Sequence, residues 1–438
     1  MYDVLYIGGG LNYAGAIVAA KNGLKVALVE KEMDLLGGTC LHKGCIPSKM
    51  FLHYANTLRQ SKSPFFEGTL TLEMKTLVEK KNRLRQNANK AVRTQCREID
   101  LIEGEGKLTA PHKVEVGGKT YEAKSIVIGT GSSAFIPEGI AYDRENIITS
   151  DEVLEMKQLP KTIAIYGDGA IGREMASFFV SSGAKVTLIS RHEGLLKGAH
   201  TLIANGMQKQ MDTLGIEHLG NHPVAKARMT QRGVHVTFED GSSRYFETLL
   251  VATGRRPNTG VIRTDAVKVG KGIVTDDDFE TTLSGHYAIG DCNGKLQLAH
   301  AARAEALYVT QKILGRTPHR LNLSHVVKFM HTLPMSYAWV GETRHTLEKR
   351  NADFKESVMP LNRFTASVFH DAIHGMMITY ADGEGFILGA EILAPDAEEL
   401  IAPVAMALAG EMDAPLAQRT VMAHPTFSEA LERSWFKL

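Results

Sequence analysis

Cysteine is scarce in this sequence: there are four in 438 residues. That is too few for a framework of structural disulfides, so a pair with special spacing is expected to be catalytic or metal-binding. A surplus of either charge is also lacking, with 50 Lys and Arg against 49 Asp and Glu and a formal net charge of +1. Composition therefore disfavours nucleic acid as a partner. No apolar run approaches the roughly 20 residues that a membrane span needs; the most apolar late stretch, 401–409, falls far short. The opening Met-Tyr-Asp-Val-Leu-Tyr-Ile enters a strand pattern with no basic n-region, long apolar h-region or cleavage site before it. The expectation is a cytoplasmic protein without a membrane partner. What remains, 44% hydrophobic and 23% charged, is a globular chain too long for one core, suited to two to four domains of about 100–200 residues.

Two segments of the chain match each other in pattern. Residues 3–30 (DVLYIGGGLNYAGAIVAAKNGLKVALVE) and 162–191 (TIAIYGDGAIGREMASFFVSSGAKVTLISR) each give an apolar strand, a Gly-rich turn, an Ala-rich helix, a glycine and a second strand. That is a βαβ unit that binds a dinucleotide, and two of them imply two nucleotides. Gly8 and Gly10 mark the first turn, and Gly167, Gly169 and Gly172 the second. A helical stretch (50–92) and short alternating strands (99–123) follow the first unit. The segment TLLVATGRRPN (248–258) closes the second. The last 120 or so residues alternate strands (336–340, 366–370, 375–380, 385–392) with helices (397–409, 428–436), an α+β pattern unlike the rest. The expected class is α/β, with two Rossmann-like domains and a C-terminal α+β domain. The boundaries run 1–144, 145–259, a return to the first domain over 260–318, and 319–438.

Cys40 and Cys45 stand in GGTCLHKGCIPSK (37–49). On a regular helix, residues five apart are about 7.5 Å apart along the axis and on different faces, whereas a disulfide wants Cα atoms roughly 4.4–6.8 Å apart. The pair closes only if the intervening segment is irregular, which Gly44 allows, while Pro47 suits the first turn of a following helix. Such a helix start favours a thiolate at Cys45. Two unrelated thiols fit the spacing equally well.

The flanking residues separate those readings. GGTCLHKGCIPSK, placed after a βαβ unit that ends in Glu30, resembles the active-site segment of the FAD-dependent pyridine nucleotide-disulfide oxidoreductases. Within that family it is most similar to the dihydrolipoamide dehydrogenases. The resemblance extends through GTGSSAFIP, ATGRRPN, AIGDCNGK with LAHAA, and the C-terminal AHPTFSEAL. It implies an enzyme in which Cys40, the accessible thiol, exchanges with substrate, while Cys45 lies against the flavin as the charge-transfer thiolate. Lys49 and Glu174 are implied as an ion pair near the flavin on the nicotinamide side. Asp291 would hold the ribityl chain, Ala299 would lie near the isoalloxazine and Glu30 would bind the adenosine ribose. Lys31, Gly38, Thr39, Thr130, Gly131 and Gly254 are expected around the cofactors. His424 is expected to be the general base for thiol protons, oriented by Glu429, although Thr426-x-x-Glu429 also fits a capping box. In the resembling family this His-Glu pair serves the other subunit, which implies a homodimer with shared active sites.

Two departures from the family pattern stand out. The first glycine fingerprint is one residue shorter than the second, and Asn12 stands where its third glycine belongs, so the FAD turn is expected to be reshaped. At the end of the second unit Ser190 replaces the acid that binds the ribose hydroxyls of NAD, and Arg191, His192 and Lys197 follow. Those residues favour NADP(H) over NAD(H). The expected substrate is a lipoyl-type disulfide, small or carried on a lipoyl domain. The alternatives are an NADPH-dependent reductase of low-molecular-weight disulfides, similar to glutathione reductase, and a flavin subunit that mainly docks within a 2-oxoacid dehydrogenase or lipoyl-carrier system. Cys96 and Cys292 are assigned to packing.

Overall fold

The computed structural model describes residues 1–370 and 372–438. The chain divides into two compact units, one of Met1–Ser48, Thr76–Phe135 and Gly254–Leu323, the other of Lys49–Lys75, Ile136–Thr253 and Ser324–Leu438.

In the first unit, β1 (Tyr2–Ile7) is followed by α1 (Asn12–Lys21) and β2 (Val26–Glu30). Val4 to Ile7 are all buried, as a strand flanked and covered on both faces requires. It pairs in parallel with β2 (Val4↔Val26) and with Lys119–Ile128 (Val4↔Ser125). Asp100–Glu103 extends the sheet beyond β2 and His286–Ala288 joins at Lys119–Ile128, both in parallel. The antiparallel strands Lys113–Val116 and Lys107–Ala110 complete seven strands. Helix α1 packs on Ala299–Ile313 at Gly15, where a Cβ would stand 2.6 Å from Thr310 Oγ1 and 2.9 Å from the Ala306 carbonyl. Tyr6 OH and Thr310 Oγ1, 2.8 Å apart, tie the strand below to that helix. Val4, Ala16, Leu28, Val127 and Val309 fill this core together with Cys96. Cys292 is buried on the other face of the sheet and donates to the Ile289 carbonyl at 3.2 Å.

The second unit repeats the βαβ plan. Its parallel sheet runs Glu217–Leu219, Lys185–Ile189, Thr162–Tyr166, Thr248–Val251, Ile147–Ile148. A three-stranded antiparallel sheet (Val224–Thr230, Gly233–Phe238, Ser243–Phe246) adjoins it. The C-terminal part is a five-stranded antiparallel sheet in the order Lys328–Met330, Ser336–Gly341, Ile387–Ala394, Met376–Ala381, Lys355–Pro360, the α+β pattern expected.

Local expectations differ in four places. The helical stretch 50–92 is two helices, Cys45–Ser61 and Met74–Gln95. Residues 366–370, expected as a strand, form the short helix Ala366–Phe369 instead. Val368 and Phe369 are 73% and 59% exposed, so no sheet face claims them and their β-propensity loses to local hydrogen bonding. The helix expected over 397–409 is broken into Ala397–Leu400 and Ala402–Ala409, because Pro403 starts a new first turn. The strands Lys328–Met330 and Lys355–Pro360 were absent from the sequence reading. Among the described residues no helix is long and apolar enough to cross a membrane.

Candidate functional site

The first Gly-rich turn is built by close backbone approach. Gly8 has φ +95°, and a Cβ there would lie 2.4 Å from the Gly129 carbonyl. Gly9 N–H donates to Glu30 Oε2 at 2.6 Å, and the Glu32 and Lys31 amides also face that carboxylate, whose pKa burial raises. Asn12 starts α1 and takes over the work of the missing glycine. Its buried amide donates to the Ile7 carbonyl at 3.2 Å and fills the space beneath Gly129, where a Cβ would stand 2.3 Å from Asn12 Nδ2. The expected reshaping is therefore a side-chain tie from the helix start to the end of β1. Gly38 (φ +71°) opens the helix α2 (Gly38–His42) and presses on the turn: a Cβ there would be 2.7 Å from Gly10 Cα.

Thr130 and Gly131 face the same region from another loop. Thr130 Oγ1 donates to the Asn258 carbonyl at 2.6 Å, and Asn258 Nδ2 returns to the Thr130 carbonyl at 3.0 Å. Asp291 Oδ2 accepts from Ser132 Oγ at 2.5 Å, and that hydroxyl accepts from Arg255 Nε at 2.8 Å. Gly254 (φ +115°) precedes the short strand Arg255–Pro257, and its carbonyl accepts the Phe135 amide at 2.9 Å. Ala299 is the first residue of its helix, while Lys31 and Thr39 are exposed. A glycine cradle at the helix start with a half-buried acid at the end of β2 fits the pyrophosphate and ribose of FAD. Gly131, with no atom within 4 Å of an added Cβ, leaves room beside it. Ser132, Arg255 and Asn258 were not singled out from sequence, although they lie inside GTGSSAFIP and ATGRRPN.

The cysteines sit where the chain changes helix. After α2 the chain breaks at Lys43 and Gly44, and α3 (Cys45–Ser61) begins. Gly44 is required, since a Cβ there would stand 2.9 Å from the Thr39 carbonyl and 3.2 Å from Cys40 Cα. The irregular segment expected from the spacing is thus present. The Cys40 thiol donates to Cys45, and with burial this pushes the Cys40 pKa up, although the Cys45 and Ile46 amides at the head of α3 also face its sulfur. Cys40 consequently keeps its proton. In the chain itself Cys45 is exposed and Cys40 is half-buried.

α4 (Met74–Gln95) follows α3, and in the second unit α5 (Ala170–Ser181) carries the second fingerprint. A Cβ on Gly172 would stand 1.8 Å from the Gly167 carbonyl, and Gly167 itself has φ +115°, so the third glycine is obligatory here. Gly169 is the N-cap of α5, and open space surrounds it. Ser190 is buried and turned inward, donating to the His192 carbonyl at 2.6 Å and lying 3.0 Å from His218 Nε2. Arg191 and Lys197 are exposed, with Arg191 Nε 3.3 Å from Tyr166 OH.

Lys49 Nζ and Glu174 Oε1 are paired at 2.5 Å, as the resemblance implies, with side chains 31% and 9% exposed. The neighbouring Arg173 is buried and pairs with Asp168 at 3.0 Å; burial lowers its pKa, with Asp168 acting against that. His331 and Glu398 also pair beside Glu174, and their separation along the chain gave no local signal for it. At the C-terminus, His424 Nδ1 is 3.0 Å from Glu429 Oε1, with His424 74% exposed. Among the described residues no cluster of three or more His, Cys, Asp or Glu side chains could hold a metal ion.

Residues 2–306 match the family model described as pyridine nucleotide-disulphide oxidoreductase, and residues 327–435 match its dimerisation domain. Dihydrolipoyl dehydrogenase of Bacillus subtilis is 31% identical over 98% of this chain and 96% of that protein. A mercuric reductase of Lysinibacillus sphaericus is 31% identical over 98% of this chain and 81% of its own length. Among solved structures, LpdA of Mycobacterium tuberculosis superposes with a TM-score of 0.91 at 23% identity, covering 99% of both chains. The Cu(II) complex of the HOCl-induced flavoprotein disulfide reductase RclA of Escherichia coli gives 0.88 at 25% identity, again covering 99% of both.

Proposed function

The chain belongs to the pyridine nucleotide-disulphide oxidoreductase family, and on that premise we propose an NADPH-preferring, FAD-dependent enzyme that reduces a lipoyl-type disulfide or runs the reverse reaction. The observation that carries this reading is the Cys40–Cys45 contact at the head of α3, made possible by the close turn at Gly44. On this reading Cys45 faces the flavin and Cys40 is the thiol that exchanges with substrate. FAD supplies the hydride acceptor when bound. Gly8, Gly10, Gly38, Glu30 and Asp291 would hold it, and Lys49 with Glu174 would set the charge near it, as the family resemblance implies. Overall, NAD(P)H, a proton and a disulfide give NAD(P)⁺ and two thiols. His424, oriented by Glu429, moves the thiol proton in the partner copy's site, so the working form is a homodimer with shared sites, as the matched dimerisation domain supports.

The preference for NADP(H) rests on Ser190, whose hydroxyl is committed inward, on the cations Arg191 and Lys197, and on the imidazole of His192 between them. No carboxylate ends the strand to bind ribose hydroxyls, and a 2′-phosphate would meet a cationic surface. Steady-state kinetics with both nicotinamides against lipoamide, glutathione disulfide and cystine test the assignment. Arg191→Glu is expected to raise KM for NADPH by roughly 10- to 100-fold, the loss of a charged hydrogen bond, and to leave NADH unaffected. Turnover of glutathione disulfide without lipoamide would replace the lipoyl reading by that of a low-molecular-weight disulfide reductase.

A further inference from the structure

A second histidine–carboxylate pair lies against the Lys49–Glu174 ion pair. The His331 amide donates to Glu174 Oε1 at 2.9 Å, the same oxygen that takes Lys49 Nζ at 2.5 Å. The His331 imidazole Nδ1 is bonded to Glu398 Oε1, and Ser336 Oγ lies 3.4 Å from that nitrogen. Both side chains are mostly buried, at 22% and 16% exposure. Burial alone would raise the Glu398 carboxyl; the hydrogen bond and charge of His331 bring it below the usual carboxylate range. The other Glu398 oxygen is buried without a hydrogen-bond partner among the described residues.

Charges of both signs surround the imidazole. Asp168, Glu174 and Glu398 are three acids, and Arg173 and Lys49 two cations. Arg173 reaches this group through Met330, with Nη1 3.8 Å from its sulfur, and it also feels the nearby Tyr337. Lys328, at the start of the same strand, is turned to the Val326 carbonyl at 3.1 Å. With His331 neutral the cluster carries one negative charge, and with His331 protonated it carries none. In a partly buried setting such a difference is felt by any group that gains charge nearby.

We propose that His331 and Glu398 form a positioning dyad for the nicotinamide half-reaction, with His331 holding Glu174 through its amide and setting the charge of the Lys49–Glu174 site through its imidazole. This rests on the reading that Lys49 and Glu174 stand beside the flavin. In that half-reaction the nicotinamide C–H bond breaks and a hydride passes to the flavin side. One negative charge arrives there and NAD(P)⁺ departs; no proton from His331 enters the balance. The dyad is separate in role from His424 and Glu429, which serve the thiol proton.

The test compares wild type, His331→Gln, Glu398→Gln and His424→Gln as intact flavoproteins. Flavin midpoint potential and the anaerobic rate of reduction by NADPH are followed against pH, and the imidazole signals of ¹³C-histidine-labelled protein are followed by NMR. In wild type both quantities fall as the pH rises through one inflection, the rate by about tenfold. That inflection disappears in His331→Gln, which behaves throughout as wild type does at high pH. In Glu398→Gln it moves to lower pH together with the His331 NMR signal, and in His424→Gln it is retained. An inflection that survives in His331→Gln, or is lost in His424→Gln, overturns the dyad's role. The underlying reading fails separately, by the absence in wild type of a thiolate–flavin absorbance band on reduction.

Discussion

His424 Nδ1 lies 3.0 Å from Glu429 Oε1, while the other Glu429 oxygen accepts the Thr426 amide at 3.2 Å. One carboxylate therefore bonds an exposed imidazole and an amide just before the last helix. That helix, Ser428–Trp435, has Phe427 as its N-cap and no side-chain cap bond, so the capping box that Thr426-x-x-Glu429 fits is not formed. The hydrogen bond from His424 holds the Glu429 carboxyl below its usual range, so Glu429 stays ionised across neutral pH. Replacing His424 by Gln is expected to slow disulfide reduction by roughly 10²- to 10⁴-fold and leave reduction by NADPH unchanged. Stopped-flow resolution of the two half-reactions checks this.

The unequal exposure of the two cysteines gives a second prediction. Thiolate is the reacting form, and Cys40 is both half-buried and held protonated, whereas Cys45 is exposed. In flavin-free reduced protein, iodoacetamide is expected to label Cys45 first. In the FAD-bearing protein the label moves to Cys40, because the ring covers Cys45. Peptide mapping by mass spectrometry reads the switch, and labelling of the same cysteine in both forms contradicts the assigned roles.

Gly38 couples the cysteine helix to the nucleotide turn. Its φ of +71° and the 2.7 Å approach of an added Cβ to Gly10 Cα leave a side chain no space. Gly38→Ala is expected to cost about 1–3 kcal/mol in stability and to weaken FAD retention at least tenfold by displacing Gly10. Thermal melts with and without added FAD, and flavin release on dilution, measure both.

Glu305 predicts a pH dependence of stability. It is fully buried, and one oxygen accepts Gly290 N–H at 2.7 Å and Asn293 Nδ2 at 2.9 Å. Burial pushes its carboxyl up from 4.5 to about 7. Since the folded value lies above the unfolded one, the stability this group contributes is complete below about pH 4.5 and is lost as the pH rises toward 7. The amount is on the order of 3 kcal/mol. Glu305→Gln is expected to flatten the fall of Tm between about pH 5 and 7.5; an unchanged slope contradicts the shifted ionisation.

Both βαβ units were legible in the sequence because their signals are local: an apolar run, a glycine turn, a helix and a second run within about 30 residues. The defect at Asn12 was legible as a missing glycine, but its remedy, an amide bonded to the Ile7 carbonyl, was not. Cys40 and Cys45 announced themselves by motif, yet spacing alone does not specify which of them is exposed. The helix at 366–369 escaped because Val and Phe favour strands, and only the absence of a sheet face overrides them. His331 and Glu398 are 67 residues apart, one just after a strand and the other in the short helix Ala397–Leu400, so no local pattern joins them. Ser190 was legible as a lost acid, whereas its inward turn toward His218 required the packed strand.

The most direct measurement is an anaerobic titration of the FAD-bearing protein with NADPH, followed by lipoamide, in wild type and Cys45→Ser. The account predicts a long-wavelength charge-transfer band in wild type that lipoamide discharges and that Cys45→Ser lacks. No band in wild type, or an equal band in Cys45→Ser, would place the cysteine pair outside the electron path.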